Sequence, residues 1–263
     1  MKKISNYIKI TYLDILATFL NGAWFNLAFE DLKKRYRRSL IGPFWITLST
    51  LLLVIVIGPL YGVIFNRELN DYFPFLTAGI IIWQFFSTYV NESVFGFIEN
   101  EGYIKNIKAP YFTFIFKLFF KNFLVFLHNF IIIILIILYF GIIPNILLFL
   151  FGIFLLTINL LWIGALLAIL SARFRDMPQI IANLIQISFF LTPIIWQIDM
   201  AGRHFYLINF NPIYHFIEIV RAPLINAQIN NLSFIFTSIS AVIGTLITSY
   251  FFGKFYKRIS FWV

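Results

Sequence analysis

Stretches without Asp, Glu, Lys or Arg constrain this chain more than any other feature. They cover 39–66, 72–91, 122–172, 177–198 and 222–253, or 28, 20, 51, 22 and 32 residues. A helix rising 1.5 Å per residue needs about 20 apolar residues to cross the hydrocarbon core of a bilayer. The 51-residue run is more than twice that length, and Gly141-Ile142-Ile143-Pro144-Asn145 near its middle reads as a tight turn between two crossings. The pattern therefore predicts six spans, over 44–65, 72–94, 112–140, 146–170, 177–197 and 233–253. The uncharged runs 15–29 and 204–217 are too short to cross.

Composition agrees. The chain is 61% hydrophobic and 12% charged, with 35 Phe, 13 Tyr and 6 Trp, whereas a soluble domain is about a quarter charged. Too little polar surface remains to cover the chain in water, which excludes a soluble enzyme. The absence of cysteine removes disulfides, thiolate metal sites and cysteine nucleophiles together. His128, His204 and His215 have no metal-ligand spacing. No phosphate-binding loop, paired-histidine metal motif or Asp-x-Asp motif is present, so nothing in the sequence points to ATP hydrolysis or bond formation on this chain.

The net charge of +9 reads against a membrane rather than nucleic acid. With the N-terminus inside, 17 of the 20 basic residues fall on the cytoplasmic side, leaving Arg67, Arg203 and Arg221 outside. The positive-inside rule thus expects both termini in the cytoplasm, as an even number of spans requires. Lys9 and Asp14 interrupt any signal-peptide core, so the first 20 residues are expected to be retained.

The segments between spans carry the candidate chemistry. Leu13, Leu16, Leu20, Trp24 and Leu27 form the stripe of a helix lying along the inner interface. Lys33 to Arg38 then places five positive charges in six residues, fitted to anionic headgroups or to a phosphate-bearing substrate. Arg35, Arg37 and Arg38 are the candidate contacts to such a phosphate, because a guanidinium fork matches phosphate oxygens. Lys117, Lys121 and His128 fall within about 40° of one helical face at 100° per residue. That basic stripe either meets the same anionic group or is two snorkelling lysines and a packed histidine. Asn129, Asn159, Asn183 and Gln186 are expected as cross-helix hydrogen-bonding partners, and Trp45 and Trp196 as interfacial belt residues.

In 96–110, Phe97, Ile98, Ile104 and Ile107 alternate with Glu99, Glu101, Lys105 and Lys108. This predicts a short amphipathic helix that docks a partner, or an ordinary solvated connector. In 199–232, Asn211 can cap a helix with Pro212 at its first position, and Glu218 and Arg221 pair at i, i+3. About ten residues cover half a bilayer, so this element re-enters the membrane or lies on its outer face.

Three segments resemble one family. DLKKRYRRSLIGPFW (31–45) is similar to the approach to the first span in permease subunits of type 2 ABC transporters for polysaccharide export. SARFRDMPQIIANLIQISFFLTPIIW (171–196) resembles that family's stretch from the fourth to the fifth span, with Arg173, Phe174, Arg175, Asp176, Thr192 and Pro193 in place. NPIYHFIEIVRAPL (211–224) looks like its external helix. Ile41 stands where the family has Leu. The resemblance covers essentially the whole chain and is nearest to lipopolysaccharide O-antigen exporters, with capsule and teichoic acid exporters close behind.

The resemblance implies an all-α integral membrane protein of six transmembrane helices in the bacterial inner membrane, forming a single permease domain. Residues 11–38 would be an interface helix and 96–110 a coupling helix docking an ATPase through Glu99, Glu101, Tyr103 and Lys105. Residues 199–232 would form external gate helices with Asn211, Pro212, Glu218 and Arg221. It implies a homodimer joined to two ATP-binding subunits that carry ATP and Mg, no cofactor or metal on this chain, and no nucleic-acid partner. The cargo it implies is a polysaccharide on undecaprenyl diphosphate. A two-fold pair also suits the physics, since six close-packed helices leave little room for a hydrated glycan. A passive channel and a membrane-embedded glycan-processing enzyme are the readings from other classes; the enzyme would need convergent carboxylates, which the scattered acids do not suggest.

Overall fold

The computed structural model describes residues 2–35, 37, 42, 44–107, 109–228 and 230–263, with the side chains of 2, 201 and 203–205 also outside the description. Among the described residues every regular element is helical. The α-helices are α1 (Lys2–Asn21), α2 (Ala23–Arg35), α3 (Phe44–Ile64), α4 (Leu69–Ser93), α5 (Phe112–Tyr139), α6 (Ile146–Arg173), α7 (Met177–Leu191), α8 (Pro212–Leu224) and α9 (Asn231–Trp262). Five of them, α3, α4, α5, α6 and α9, are long and apolar enough to cross a membrane.

The central helix is α4, which packs against α3, α5, α6, α7 and α8. Its most apolar stretch is 78% buried, whereas that of no other membrane-length helix exceeds 33%. Of the other long helices, α3, α5 and α6 press one face on it, whereas α9 packs on α6, α8 and α1. Gly141 at φ +64 and the Asn145 carboxamide, which caps α6 by accepting from Leu148 N, make the expected turn between α5 and α6.

The fifth expected span, over 177–197, behaves differently from the expectation. Its helix stops at Leu191 after 15 residues, about 22 Å of rise against a core of about 30 Å. Thr192 is extended (φ −95°, ψ 135°). Pro193 explains the stop, since proline disfavours the helical region for the residue before it and has no N–H to donate. The chain then bends through 192–197 along α4, held by Tyr72 Oη donating to the Ile195 carbonyl at 2.6 Å.

Two other elements differ from their sequence outlines. The amphipathic segment 11–38 is not one helix, because Gly22 at φ +62 breaks it between α1 and α2. The 96–110 segment winds as a 3₁₀ turn over Ile98–Asn100 and a π turn over Tyr103–Ile107.

The short helices are fastened by side chains. Along its length α1 rests on the C-terminal half of α9: Thr11 Oγ1 donates to the Ser249 carbonyl at 2.8 Å, and Gly253 lacks the Cβ that would collide with the Tyr7 carbonyl. The Asp14 carboxylate of α1 accepts from Phe112 N at 2.9 Å and Tyr111 N at 3.2 Å, covering two unpaired donors at the start of α5. Aromatic contacts seat α2 on α5, with Phe25 and Phe120 ring centroids 5.0 Å apart. Every residue of α8 from Tyr214 to Leu224 is buried, so α8 is wedged among α4, α6 and α9 rather than laid on a surface. Gly152 makes room for its Ile219 carbonyl.

Candidate functional site

The basic end of α2 is where the candidate residues meet a cavity. Lys33, Lys34 and Arg35 close α2, and the chain turns at Gly42, φ +61, before α3. Between α2, the first turn of α3 and the middle of α5 lies a cavity of about 850 Å³. Phe29, Leu32, Ile46, Leu124 and Val125 give it apolar walls; Glu30, Lys33, Lys34, Arg37 and His128 give it polar ones. Lys34 lies 3.9 Å from Glu30, so Lys33 and Arg37 leave the site an excess of positive charge. His128 Nδ1 lies 2.8 Å from the Leu124 carbonyl, which can only accept. Nδ1 therefore carries hydrogen, and the other ring nitrogen is the one able to respond to a ligand. A cavity with cationic groups above apolar walls suits an amphiphile whose head is anionic.

A second cavity, of about 360 Å³, lies on the other side of the start of α3. Ser49, Thr50, Gln84, Thr88, Asn122 and Asn129 line it with hydroxyls and carboxamides, together with Arg35 and Trp45. Ile46 and Val125 border both cavities.

The basic stripe expected on α5 is divided by the fold. His128 reaches the first cavity, whereas Lys117 and Lys121 face carboxylates. Lys117 Nζ lies 2.9 Å from Asp31 of α2 and donates to Asn100 Oδ1 at 3.0 Å. Lys121 Nζ lies 2.9 Å from Glu92 of α4, which also accepts from Asn122 at 2.6 Å and stands 3.9 Å from Arg35. The arginine triplet divides too: Arg35 borders the second cavity, Arg37 the first, and Arg38 lies outside the described residues. Sequence reasoning missed Asp31 and Glu92. The one available signal was that the uncharged run 72–91 ends on an acid, at the same end of its span as the two lysines of the next.

On the face formed by the 96–110 segment, Glu99, Glu101, Tyr103 and Lys105 are exposed while Phe97 and Ile104 are buried. Lys105 donates to Glu101 at 2.6 Å. That hydrogen bond and the lysine's charge, with a smaller contribution from Arg175, hold the Glu101 carboxyl below its ordinary value. Lys108 lies outside the described residues.

At the opposite end, the Asn211 side chain caps α8 by accepting from Ile213 N at 3.0 Å and Tyr214 N at 3.3 Å, with Pro212 at the first helical position. Asn211 also donates to Thr192 Oγ1 at 2.9 Å, joining the start of α8 to the end of α7. Arg221 is 1% exposed. It donates to Glu218 at 2.5 and 3.2 Å and to the Pro193 carbonyl at 2.6 Å, and its guanidinium lies 4.0 Å from the Phe75 ring centroid. This clamp borders a cavity of about 440 Å³ shared with Glu68, Asp71 and the Arg67–Asp199 ion pair.

Of the four amides expected to bridge helices, two do. Asn159 joins α6 to α9 through the Thr237 carbonyl at 3.0 Å, and Asn129 donates to Gln84 of α4 at 3.3 Å. Asn183 accepts from Gln179 on its own helix, and both Asn183 and Gln186 are exposed.

The sequence profile of the ABC-2 type transporter membrane family matches residues 23–225. Two O-antigen export system permease proteins RfbA of Klebsiella pneumoniae are each 27% identical to the chain. One aligns over 206 residues, 76% of this chain and 79% of that protein; the other over 224 residues, 83% and 85%. The O-antigen export system permease protein RfbA of Myxococcus xanthus is 26% identical over 181 residues, 68% of this chain and 69% of that protein.

Proposed function

The chain belongs to the ABC-2 type transporter family, and from that membership we propose that it is the membrane subunit of an O-antigen exporter. Its cargo would be a polysaccharide linked to undecaprenyl diphosphate, moved out of the cytoplasm across the inner membrane by ATP hydrolysis on a separate subunit. The observation that carries this reading is the cavity lined by Lys33, Lys34, Arg37 and His128 above apolar walls. A lipid diphosphate needs both parts: forked or clustered cations for its oxygens and an apolar surface for its chain. That these relatives are O-antigen export permeases favours O antigen over other glycans.

In this reading α7 with 192–197 completes a sixth crossing, and both termini are cytoplasmic. Two copies enclose the path. The faces left bare support that arrangement: α7 buries none of its residues, and it displays Gln179, Asn183 and Gln186 at i, i+4 and i+7. Each copy docks one ATP-binding subunit, the holder of ATP and Mg, through Glu99, Glu101, Tyr103 and Lys105. At the outer end Asn211, Pro212, Glu218 and Arg221 hold the gate. Arg35, Lys117 and Lys121 orient α2 from within, by way of Glu92 and Asp31.

Reconstitution with the ATP-binding subunit tests the proposal. Lipid-linked glycan is expected to stimulate hydrolysis, and Lys33→Gln with Arg37→Gln to raise the half-maximal concentration by tenfold or more, since two charge-assisted contacts are worth at least about 1.4 kcal/mol. Stimulation untouched by these changes counts decisively against the site.

A further inference from the structure

Proceeding from the carrier-binding reading above, we propose that the polar cavity between α3, α4 and α5 receives the sugar residue next to the diphosphate. On this view it is a subsite that distinguishes a loaded carrier from a bare one. Its position is the first argument. Ile46 and Val125 form a partition common to the two cavities, and the adjoining cavity is the one with the cationic lining. A ligand anchored by phosphate on one side of this partition extends its next group toward the other.

Its chemistry is the second argument. Apart from Arg35, the lining is uncharged and rich in hydrogen-bonding groups, with Thr50, Gln84, Thr88, Asn122 and Asn129 at the depth of long apolar helices. A sugar presents hydroxyls that both donate and accept, which matches carboxamides and hydroxyls and not a charged cluster. Trp45 and Phe85 add ring faces able to cover the apolar face of a pyranose.

The third argument is an atom. Gln84 Oε1 already accepts from Thr50 at 3.1 Å and from Asn129 at 3.3 Å. Asn129 is 3% exposed, yet its Oδ1 has no hydrogen-bond partner among the described residues. An unpaired buried acceptor in an apolar surrounding is costly. A sugar hydroxyl donating to Asn129 Oδ1 repairs it, so the binding energy comes with selectivity for a ligand that has a hydroxyl at that point.

The test compares two probes on the purified protein in nanodiscs: a polyprenyl diphosphate, and the same diphosphate bearing a disaccharide. The parent is expected to bind the glycosylated probe about tenfold more tightly, the worth of one net hydrogen bond. Asn129→Leu or Thr50→Val removes that preference while binding of the bare diphosphate stays unchanged, which also reports an intact fold. Thr88→Ala is the milder second variant, with a smaller loss in the same direction. Equal affinity of the parent for both probes, or a preference that survives all three substitutions, overturns the subsite and leaves the carrier reading standing. Binding of neither probe overturns both.

Discussion

Asp14 shows what a single buried group does where α1 meets the start of α5. Burial raises its carboxyl above the ordinary 3.8, outweighing hydrogen bonds from Phe112, Tyr111 and Tyr256 that pull the other way. The native state then holds this proton more tightly than the unfolded chain does. Stability from this group is greatest below 3.8, falls as pH rises from 3.8 to the native value, and stays at its lower level above. Thermal unfolding in detergent should therefore show the parent gaining on Asp14→Asn as pH drops from 7 to 4. Asp14→Ala, which leaves two backbone donors at the head of α5 without acceptors, should cost on the order of 2 kcal/mol at neutral pH and more as the pH falls. The pairings of Lys117 and Lys121 show why such roles were not legible in the sequence. Their spacing announces a common face, but Asp31 and Glu92 sit on other helices, and only the packing of α2 and α4 against α5 brings the charges together.

At the scale of elements, the crossings were legible wherever a run was long, uncharged and bounded by a turn: α3, α5 and α6 begin and end within a few residues of the expected limits. At the fifth expected crossing the helix stops short of the uncharged run, because absence of charge measures compatibility with lipid whereas helix length depends on the backbone, and Pro193 governs it locally. The capping of α8 by Asn211 was legible because a cap is a local event. Its burial was not, since nothing in 211–224 says which neighbours surround it. The clamp it carries makes a prediction at this scale. Arg221→Met should destabilise the protein by about 3–5 kcal/mol, because Glu218 is then buried without its partner. Adding Glu218→Gln should recover part of that loss in a double-mutant cycle read by thermal unfolding.

For the whole molecule, the faces of α3 and α7 that meet nothing in one copy are the feature to test. Leu184 and Ile187 are more than half exposed, and the chain has no cysteine. Leu184→Cys and Ile187→Cys are therefore clean reporters: oxidation in membranes should give a covalent dimer if α7 faces its two-fold mate. A Cys introduced at Leu147, at the far end of α6 and 78% exposed, should stay monomeric. Equal cross-linking at all three sites would mean random collision and no defined pair.

The contact between α1 and α9 has a consequence in time. Thr11 hydrogen-bonds to Ser249, 238 residues later. At a synthesis rate of 5–20 residues per second, that separation is roughly 10–50 s on the ribosome. Throughout that interval α1 can lean on the start of α5 through Asp14, but not on α9. The seat of α1 is thus half built early and finished only when α9 arrives.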